Sequence, residues 1–218
     1  MAECQASASY QTLNLPDAVP GRVDLAILDN DQTLRNRLSL EEYHLVHTNY
    51  FKHTQPYLKP GMRKIVTVWM REVCEAENCD PCTFLLAVSY LDRFLAIETI
   101  HVAQMQTLAS ACLFLASKFA QNQPISAKRL VEYTDGSMEH SELINWELLV
   151  LGRLRWDTSG VTAVDFVEFI LVRLAFNSKA LTGKVRYWAG QFAAAIATGK
   201  PGAGSKVKEL VFGVMNGF

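Results

Sequence analysis

The sequence has no apolar run that could cross a lipid bilayer. Its longest strongly apolar segment, residues 108–119, is interrupted by two serines and a lysine, whereas a transmembrane helix needs about 18 or more apolar residues. The first 30 residues lack the apolar core of a signal peptide. These absences predict an intracellular protein with no membrane partner, in which the five cysteines are mostly reduced thiols.

The sequence also has no large excess of either positive or negative charge. The chain has 21 basic and 22 acidic residues, a formal net charge of −1, and no long basic run. Proteins that bind DNA or RNA owe much of their affinity to contacts between basic residues and phosphates. We therefore expect no nucleic-acid partner, and the sequence shows no basic nuclear-import signal.

Motifs of catalytic and cofactor sites are missing as well. The sequence has no phosphate-binding glycine loop, no H-E-x-x-H and no G-x-S-x-G. Cys74, Cys79 and Cys82 form a C-x4-C-x2-C cluster, but a closed zinc site needs four ligands. Core or loop cysteines are a more common explanation than a metal or redox site, so the sequence predicts no metal, no cofactor and no enzymatic activity.

The chain does show apolar residues at helical spacing. Ser39, with Glu42 three residues later, forms a capping-box pattern and predicts a helix from 39 to about 53. Five further helices are predicted at about 62–78, 80–95, 102–119, 126–135 and 138–153. Asp80-Pro81, Ser126 and Ser137 mark the starts of three of them.

The third of these five helices should be the centre of the domain. Residues 111–116 are apolar on every side, which is typical of a buried helix. With short links and no strand alternation, the fold class is all-α.

The flanking segments are less regular. Residues 1–36 predict an extended arm, and 157–160 predict a linker. Thr162, with Asp165 three residues later, starts two helices at about 162–176 and 180–198, and a short helix closes the chain. This gives an arm (1–36), a helical domain with its preceding helix (37–156) and a short C-terminal helical domain (157–218).

The helix that begins near Met62 has two apolar faces. One face carries Met62, Ile65 and Trp69, and the other carries Val66, Met70 and Val73. A surface helix needs only one such stripe. Periodicity alone favours core for the first face, and the alternative is a surface on which another protein docks.

Four charged residues lie within apolar sequence, where an unpaired charge is costly. Arg63 and Asp92 are interpreted as a buried structural ion pair. Lys118 and Glu147 either pair with each other or form two hydrogen-bonding posts on a partner-binding face.

Five motifs occur in order along these segments: Met62-Arg63 with Trp69, Tyr90-Leu91-Asp92-Arg93-Phe94-Leu95, Leu115-Ala116-Ser117-Lys118-Phe119, Glu147-Leu148-Leu149-Val150-Leu151 and Leu154-Arg155-Trp156. Together they resemble the N-terminal box of a cyclin, and the details are most similar to D-type cyclins. The D-type retinoblastoma-binding motif Leu-x-Cys-x-Glu and an acidic Pro/Ser/Thr-rich tail are absent from the sequence. A short D-like cyclin without them is similar to the virus-encoded cyclins of gammaherpesviruses.

The resemblance implies a cyclin fold, a five-helix box followed by a second box. Only 62 residues follow Trp156, too few for five more helices of ordinary length with their links. We therefore expect a shorter or truncated second helical domain.

The resemblance also implies a function. The chain would bind a cyclin-dependent kinase as a 1:1 heterodimer, activate it and drive cell-cycle progression in the nucleus and cytoplasm of a host cell. A hydrophobic patch would recruit substrates and inhibitors that carry a basic residue followed by an apolar one. The implied kinase-binding residues are Lys118, Glu147, Leu115, Phe119, Leu151 and Trp156. The implied docking residues are Met62, Ile65, Trp69, Glu72, Met105 and Gln106.

Two alternatives remain open at this point. One is a cyclin-fold adaptor that binds a kinase without activating it. The other is an adaptor of the transcription machinery, like the B-type general transcription factor, although a near-neutral chain fits DNA binding poorly.

Overall fold

The computed structural model describes residues 24–46, 49–173 and 179–199. These residues form ten α-helices and no strand, as the predicted all-α class requires. Single 3-10 helices, Val102–Gln104 and Ala163–Phe166, precede the sixth and ninth α-helices. The α-helices are α1 (Leu25–Leu28), α2 (Asp31–His44), α3 (Tyr50–His53), α4 (Pro60–Ala76), α5 (Pro81–Ile97), α6 (Met105–Ala120), α7 (Ala127–Glu132), α8 (His140–Arg153), α9 (Val167–Arg173) and α10 (Lys179–Ala197).

Helix α6 lies at the centre of a five-helix domain formed by α4 to α8. It packs against α4, α5, α7 and α8, and every residue from 107 to 117 is buried. The prediction of a central buried helix is confirmed. The same core includes α10, whose small residues Ala193, Ala194 and Ala197 are buried with those of α5.

Two of the predicted helix starts are confirmed in atomic detail. The Asp80 carboxylate accepts a hydrogen bond from the backbone N–H of Cys82, and Pro81 opens α5. The Ser126 hydroxyl accepts one from the backbone N–H of Arg129 at the start of α7. Both side chains satisfy donors that have no partner inside their helix.

The predicted helix from Ser39 to about residue 53 is wrong. Asn30 is the N-cap of α2, and its side-chain oxygen accepts hydrogen bonds from the N–H groups of Gln32 and Thr33. The helix ends at His44, and Tyr50–His53 is a separate turn of helix. Asparagine caps as well as serine does, so the earlier signal defines the start and Ser39 lies inside the helix.

Ser137 is also not a cap, because α8 begins at His140 with Glu139 in the N-cap position. The predicted arm is wrong for residues 25–28 and 31–36, which are helical. Residues 1–23 and the predicted closing helix lie outside the described residues. The two predicted helices of the C-terminal region correspond to α9 and α10, with the Thr162–Asp165 capping box at the preceding 3-10 turn.

A second, smaller core joins α2 to the C-terminal region. Leu34 and Leu38 of α2 are buried with Phe166 and Phe169. Ion pairs flank this cluster, with Arg37 Nη1 3.3 Å from Asp165 Oδ1 and Arg173 Nη2 2.7 Å from Asp31 Oδ1. Helix α2 therefore packs on the region that follows the linker, and the division of the chain near residue 156 stays a prediction.

None of the helices in the described part of the chain is both long and apolar enough to span a bilayer.

Candidate protein-binding surfaces

Helix α4 divides its apolar residues between the core and the solvent. Met70 and Val73 are buried, and Val66 packs against the core. On the other face Ile65 is 71 % exposed, and Met62 and Trp69 are half-buried. The interpretation of that face as core, which periodicity alone favours, is wrong for Ile65.

We use the name α4 patch for five of the docking residues that the resemblance implies: Met62, Ile65, Trp69, Glu72 and Gln106. Glu72 is exposed and Gln106 is half-buried. Met105, which the resemblance adds to this set, is only 3 % exposed and belongs to the hydrophobic core. Val68, three residues after Ile65, is 38 % exposed and was not singled out from the sequence.

A buried ion pair anchors the inner side of α4. Arg63 Nε donates to Asp92 Oδ1 at 2.7 Å, and Arg63 Nη2 donates to Asp92 Oδ2 at 2.8 Å. The Tyr50 hydroxyl donates to the same carboxylate at 2.9 Å, and Arg63 Nη2 also donates to the Ala197 carbonyl at 3.1 Å. The pair therefore connects α3, α4, α5 and α10.

The electrostatics of this cluster favour the charged pair. Burial works to lower the pKa of Arg63, but its hydrogen bonds and attraction to Asp92 outweigh burial and the pKa is raised. Burial and the charge of Asp92 together raise the pKa of Tyr50. Tyr50 thus stays a neutral donor while Arg63 stays a cation.

The second surface lies where the end of α6 meets α8. Lys118 forms an ion pair with Glu147, and its ammonium lies 4.0 Å from the centroid of the Phe114 ring. Glu147 is 7 % exposed, whereas the Lys118 side chain is 40 % exposed. An ammonium has three donors and a carboxylate has two acceptor oxygens, so a partner can still bond to both groups.

Apolar residues lie near Lys118 and Glu147 in sequence, on α6, on α8 and just after α8. Phe119 is 57 % and Trp156 is 68 % exposed, whereas Leu115 and Leu151 are buried. Leu148, on α8 between Glu147 and Leu151, is 56 % exposed and was not singled out from the sequence. We call Lys118, Phe119, Glu147, Leu148, Leu151 and Trp156 the α6–α8 face.

The position of Trp156 depends on a strained turn. The N–H of Trp156 donates to the Leu151 carbonyl and that of Arg155 to Gly152, which is a Schellman ending of α8. Arg155 and Trp156 have φ values of 55° and 60°, a region that bulky residues rarely adopt. Strain of this kind concentrates at functional sites, and here the strained residue Trp156 is an exposed indole at the end of α8.

The helical box α4–α8, with an ion pair and exposed apolar side chains at one end, defines a cyclin fold. The chain belongs to the cyclin family, because residues 32–159 match the family model described as the cyclin N-terminal domain.

The curated relatives to which the chain is similar are D-type cyclins. G1/S-specific cyclin-D2 of Gallus gallus is 42 % identical over 175 residues, which is 80 % of this chain and 60 % of that protein. G1/S-specific cyclin-D1 of Danio rerio is 45 % identical over 148 residues, or 68 % of this chain and 51 % of that protein. The chain thus spans between half and three fifths of the length of these relatives.

A solved structure shows the same fold. The viral cyclin of herpesvirus saimiri superposes with a TM-score of 0.66 at 28 % identity, covering 75 % of this chain and 71 % of that chain. The resemblance to D-type and viral cyclins, drawn from the motifs, is confirmed.

Proposed function

We propose that this chain is the regulatory subunit of a cyclin-dependent kinase, which it binds as a 1:1 heterodimer and activates, in the nucleus and cytoplasm. The observation that best supports the proposal is the presence of the α6–α8 face on a cyclin box. Exposed aromatic side chains together with a partly buried charge pair are typical of the centre of a protein interface.

Each group on this face has a role in the proposal. Lys118 and Glu147 hydrogen-bond to the kinase next to its mobile regulatory helix, and the exposed apolar side chains of the face contact that helix. Phe119, Leu148 and Trp156 supply the exposed apolar area, while Leu115 and Leu151 support them from below.

The mechanism is a shift of population in the kinase. Phosphoryl transfer requires an ion pair between the catalytic lysine and a glutamate of the regulatory helix. A cyclin that binds the conformer with this pair better than the conformer without it raises the active fraction. The chain itself contributes no group to the reaction.

The α4 patch is proposed to recruit substrates and inhibitors. A half-buried Met62 and Trp69 beside an exposed Ile65 provide a shallow apolar surface, and Glu72 adds a negative charge one turn beyond Trp69. An extended peptide with a basic residue followed by an apolar one matches both features.

The proposal is tested by mixing the purified chain with unphosphorylated cyclin-dependent kinases of the D-type and the E/A-type partner classes. We expect co-elution as a 1:1 complex with at least one kinase, and phosphorylation of a retinoblastoma fragment or a linker histone. A complex without phosphorylation would support the adaptor alternative. No complex with either class would overturn the proposal and leave only the fold.

The α4 patch yields a separate prediction. Ile65→Ala should lower kcat/KM about tenfold for a substrate with a basic–apolar docking motif, because it removes one exposed anchor. The same substrate without the motif should be phosphorylated at an unchanged rate. Ile97→Ala, which truncates a residue that is 56 % exposed at the end of α5, is the matched control. Equal rates for both substrates with Ile65→Ala would remove this role from the patch.

A further inference from the structure

Two cysteines, Cys74 and Cys79, lie at the C-terminal end of α4. The N–H of Cys79 donates to the Cys74 carbonyl at 2.8 Å, and the N–H of Asn78 donates to the Glu75 carbonyl at 3.3 Å. With Asn78 at φ 52°, this is a Schellman motif, in which the side chains of Cys74 and Cys79 are expected to touch. Neither cysteine is in a disulfide.

The two thiols are not equivalent. Cys74 is 5 % exposed, whereas Cys79 is only half-buried. A groove of about 290 Å³ between the end of α4, the start of α5 and α10 is lined by both of them. A small reagent in this groove can therefore approach the pair, since a water molecule occupies only about 30 Å³ of the liquid.

The surroundings of the two thiols make Cys79 the more acidic member of the pair. The neighbouring Cys74 thiol and, more weakly, the Gln121 side chain lower the pKa of Cys79, against burial and the charges of Glu77 and Asp80. The neighbouring Cys79 thiol and burial raise the pKa of Cys74. The thiolate is the reactive form of cysteine, so Cys79 is the expected nucleophile.

A purely structural explanation also exists, because the Schellman motif favours an apolar contact between these two positions. That contact requires small apolar side chains but does not require sulfur, partial exposure or an open groove. These three features together belong to redox-responsive thiols.

We propose that Cys74 and Cys79 form a peroxide-responsive thiol pair that closes to a reversible disulfide at the end of α4. The Cys79 thiolate attacks the terminal oxygen of a hydroperoxide, which forms a sulfenic acid and releases an alkoxide that takes up a proton to become the alcohol. The Cys74 sulfur then attacks the sulfenic sulfur, and the departing hydroxide leaves as water with the Cys74 proton. Two thiols are oxidised and one hydroperoxide is reduced.

The disulfide would fix the turn from α4 to α5. Glu77, inside that turn, accepts hydrogen bonds from Arg129 at 2.7 Å and from the Tyr133 hydroxyl at 2.6 Å. The oxidised turn would therefore be restrained both within itself and against α7. The proposal does not depend on kinase binding, because its chemistry belongs to the free chain.

The test treats the reduced full-length chain with hydrogen peroxide, alkylates the remaining thiols and maps peptides without reduction. We expect a Cys74–Cys79 crosslink that dithiothreitol reverses. Cys74→Ser should accumulate a dimedone-reactive sulfenic acid at Cys79, and Cys79→Ser should slow thiol loss at this turn about tenfold or more, as removal of the thiolate requires.

Cys82→Ser is the matched control, since Cys82 is a neighbouring half-buried thiol whose pKa is raised by burial. It should leave the crosslink and its rate unchanged. A crosslink between Cys79 and Cys82 instead, or oxidation of Cys79 no faster than that of Cys82, would overturn the proposal. Absence of any crosslink in the wild-type chain would do the same.

Discussion

Replacing Asp92 by alanine is expected to lower the free energy of unfolding by about 3–5 kcal/mol, because it leaves a buried arginine without its carboxylate. The Arg63 side chain is 1 % exposed and makes two of its hydrogen bonds to Asp92. The Tyr50 hydroxyl loses its acceptor in the same variant. Urea or thermal unfolding of the full chain, followed by circular dichroism, measures the loss.

A matched control exists on the same helix. Arg71 pairs with Glu75 one turn along α4, but their side chains are 36 % and 57 % exposed. Arg71→Ala should change stability by less than about 0.5 kcal/mol, as exposed pairs do. A loss below about 1 kcal/mol for Asp92→Ala would show that the Arg63–Asp92 pair does not hold the box together.

Asp92→Ala is expected to destabilise the chain because it leaves the buried charge of Arg63 uncompensated. Removing both charges should therefore restore stability. Arg63→Met combined with Asp92→Leu replaces the pair by apolar side chains, an exchange that is often neutral or stabilising. We expect the double variant to be more stable than Asp92→Ala. If it is equally unstable, the hydrogen bonds of Arg63 to Ala197 and of Tyr50 to Asp92 carry the cost instead.

The helices of the box could be predicted because several local signals agree there. In α5 and α7 a cap residue precedes a periodic apolar run, and in α6 the run is apolar all round. Local signals failed where two of them competed. Asn30 and Ser39 both precede helical sequence, and only the hydrogen bonds of Asn30 show which one caps α2.

The contact partners of α2 could not be predicted from sequence for a different reason. Leu34 and Leu38 show that the helix buries one side, but not what covers it. Phe166 and Phe169 do so from a distant part of the chain. Contacts of this kind depend on the whole fold rather than on local propensity.

The candidate surfaces could be predicted only in part from the sequence. Helix α4 has two apolar faces, and periodicity does not indicate which one is solvent-exposed. Leu148 lies in an unbroken apolar run from 148 to 151, so its exposure has no sequence signal. In the turn that exposes Trp156, the left-handed position is occupied by Arg155 and not by glycine or asparagine, the residues that usually mark it.

The largest effect on kinase binding is expected from Lys118→Ala combined with Glu147→Ala. Removing both charges spares the chain an unpaired buried carboxylate, so the fold should be retained. The complex loses charge-assisted hydrogen bonds to both groups, a loss of about 2–5 kcal/mol for a buried pair. The dissociation constant should therefore rise at least about thirtyfold, since each 1.4 kcal/mol is a factor of ten. Surface plasmon resonance against the immobilised kinase measures it.

The matched control removes another ion pair of α8. Arg153 pairs with Glu98, and their side chains are 48 % and 38 % exposed. Arg153→Ala with Glu98→Ala deletes one positive and one negative charge, like the test variant, but not at the α6–α8 face. It should change the dissociation constant less than about threefold, because exposed pairs contribute little.

The single variants distinguish a role in binding from a role in folding. Lys118→Ala leaves Glu147, which is 7 % exposed, without its cation and should destabilise the free chain more than the double variant does. If the ion pair serves only the fold, binding should follow stability and the double variant should bind as well as the wild type. If the ion pair serves kinase binding, the double variant should be more stable than Lys118→Ala and yet bind the kinase far more weakly than the wild type does. That opposition between stability and affinity is the result that the proposed function requires.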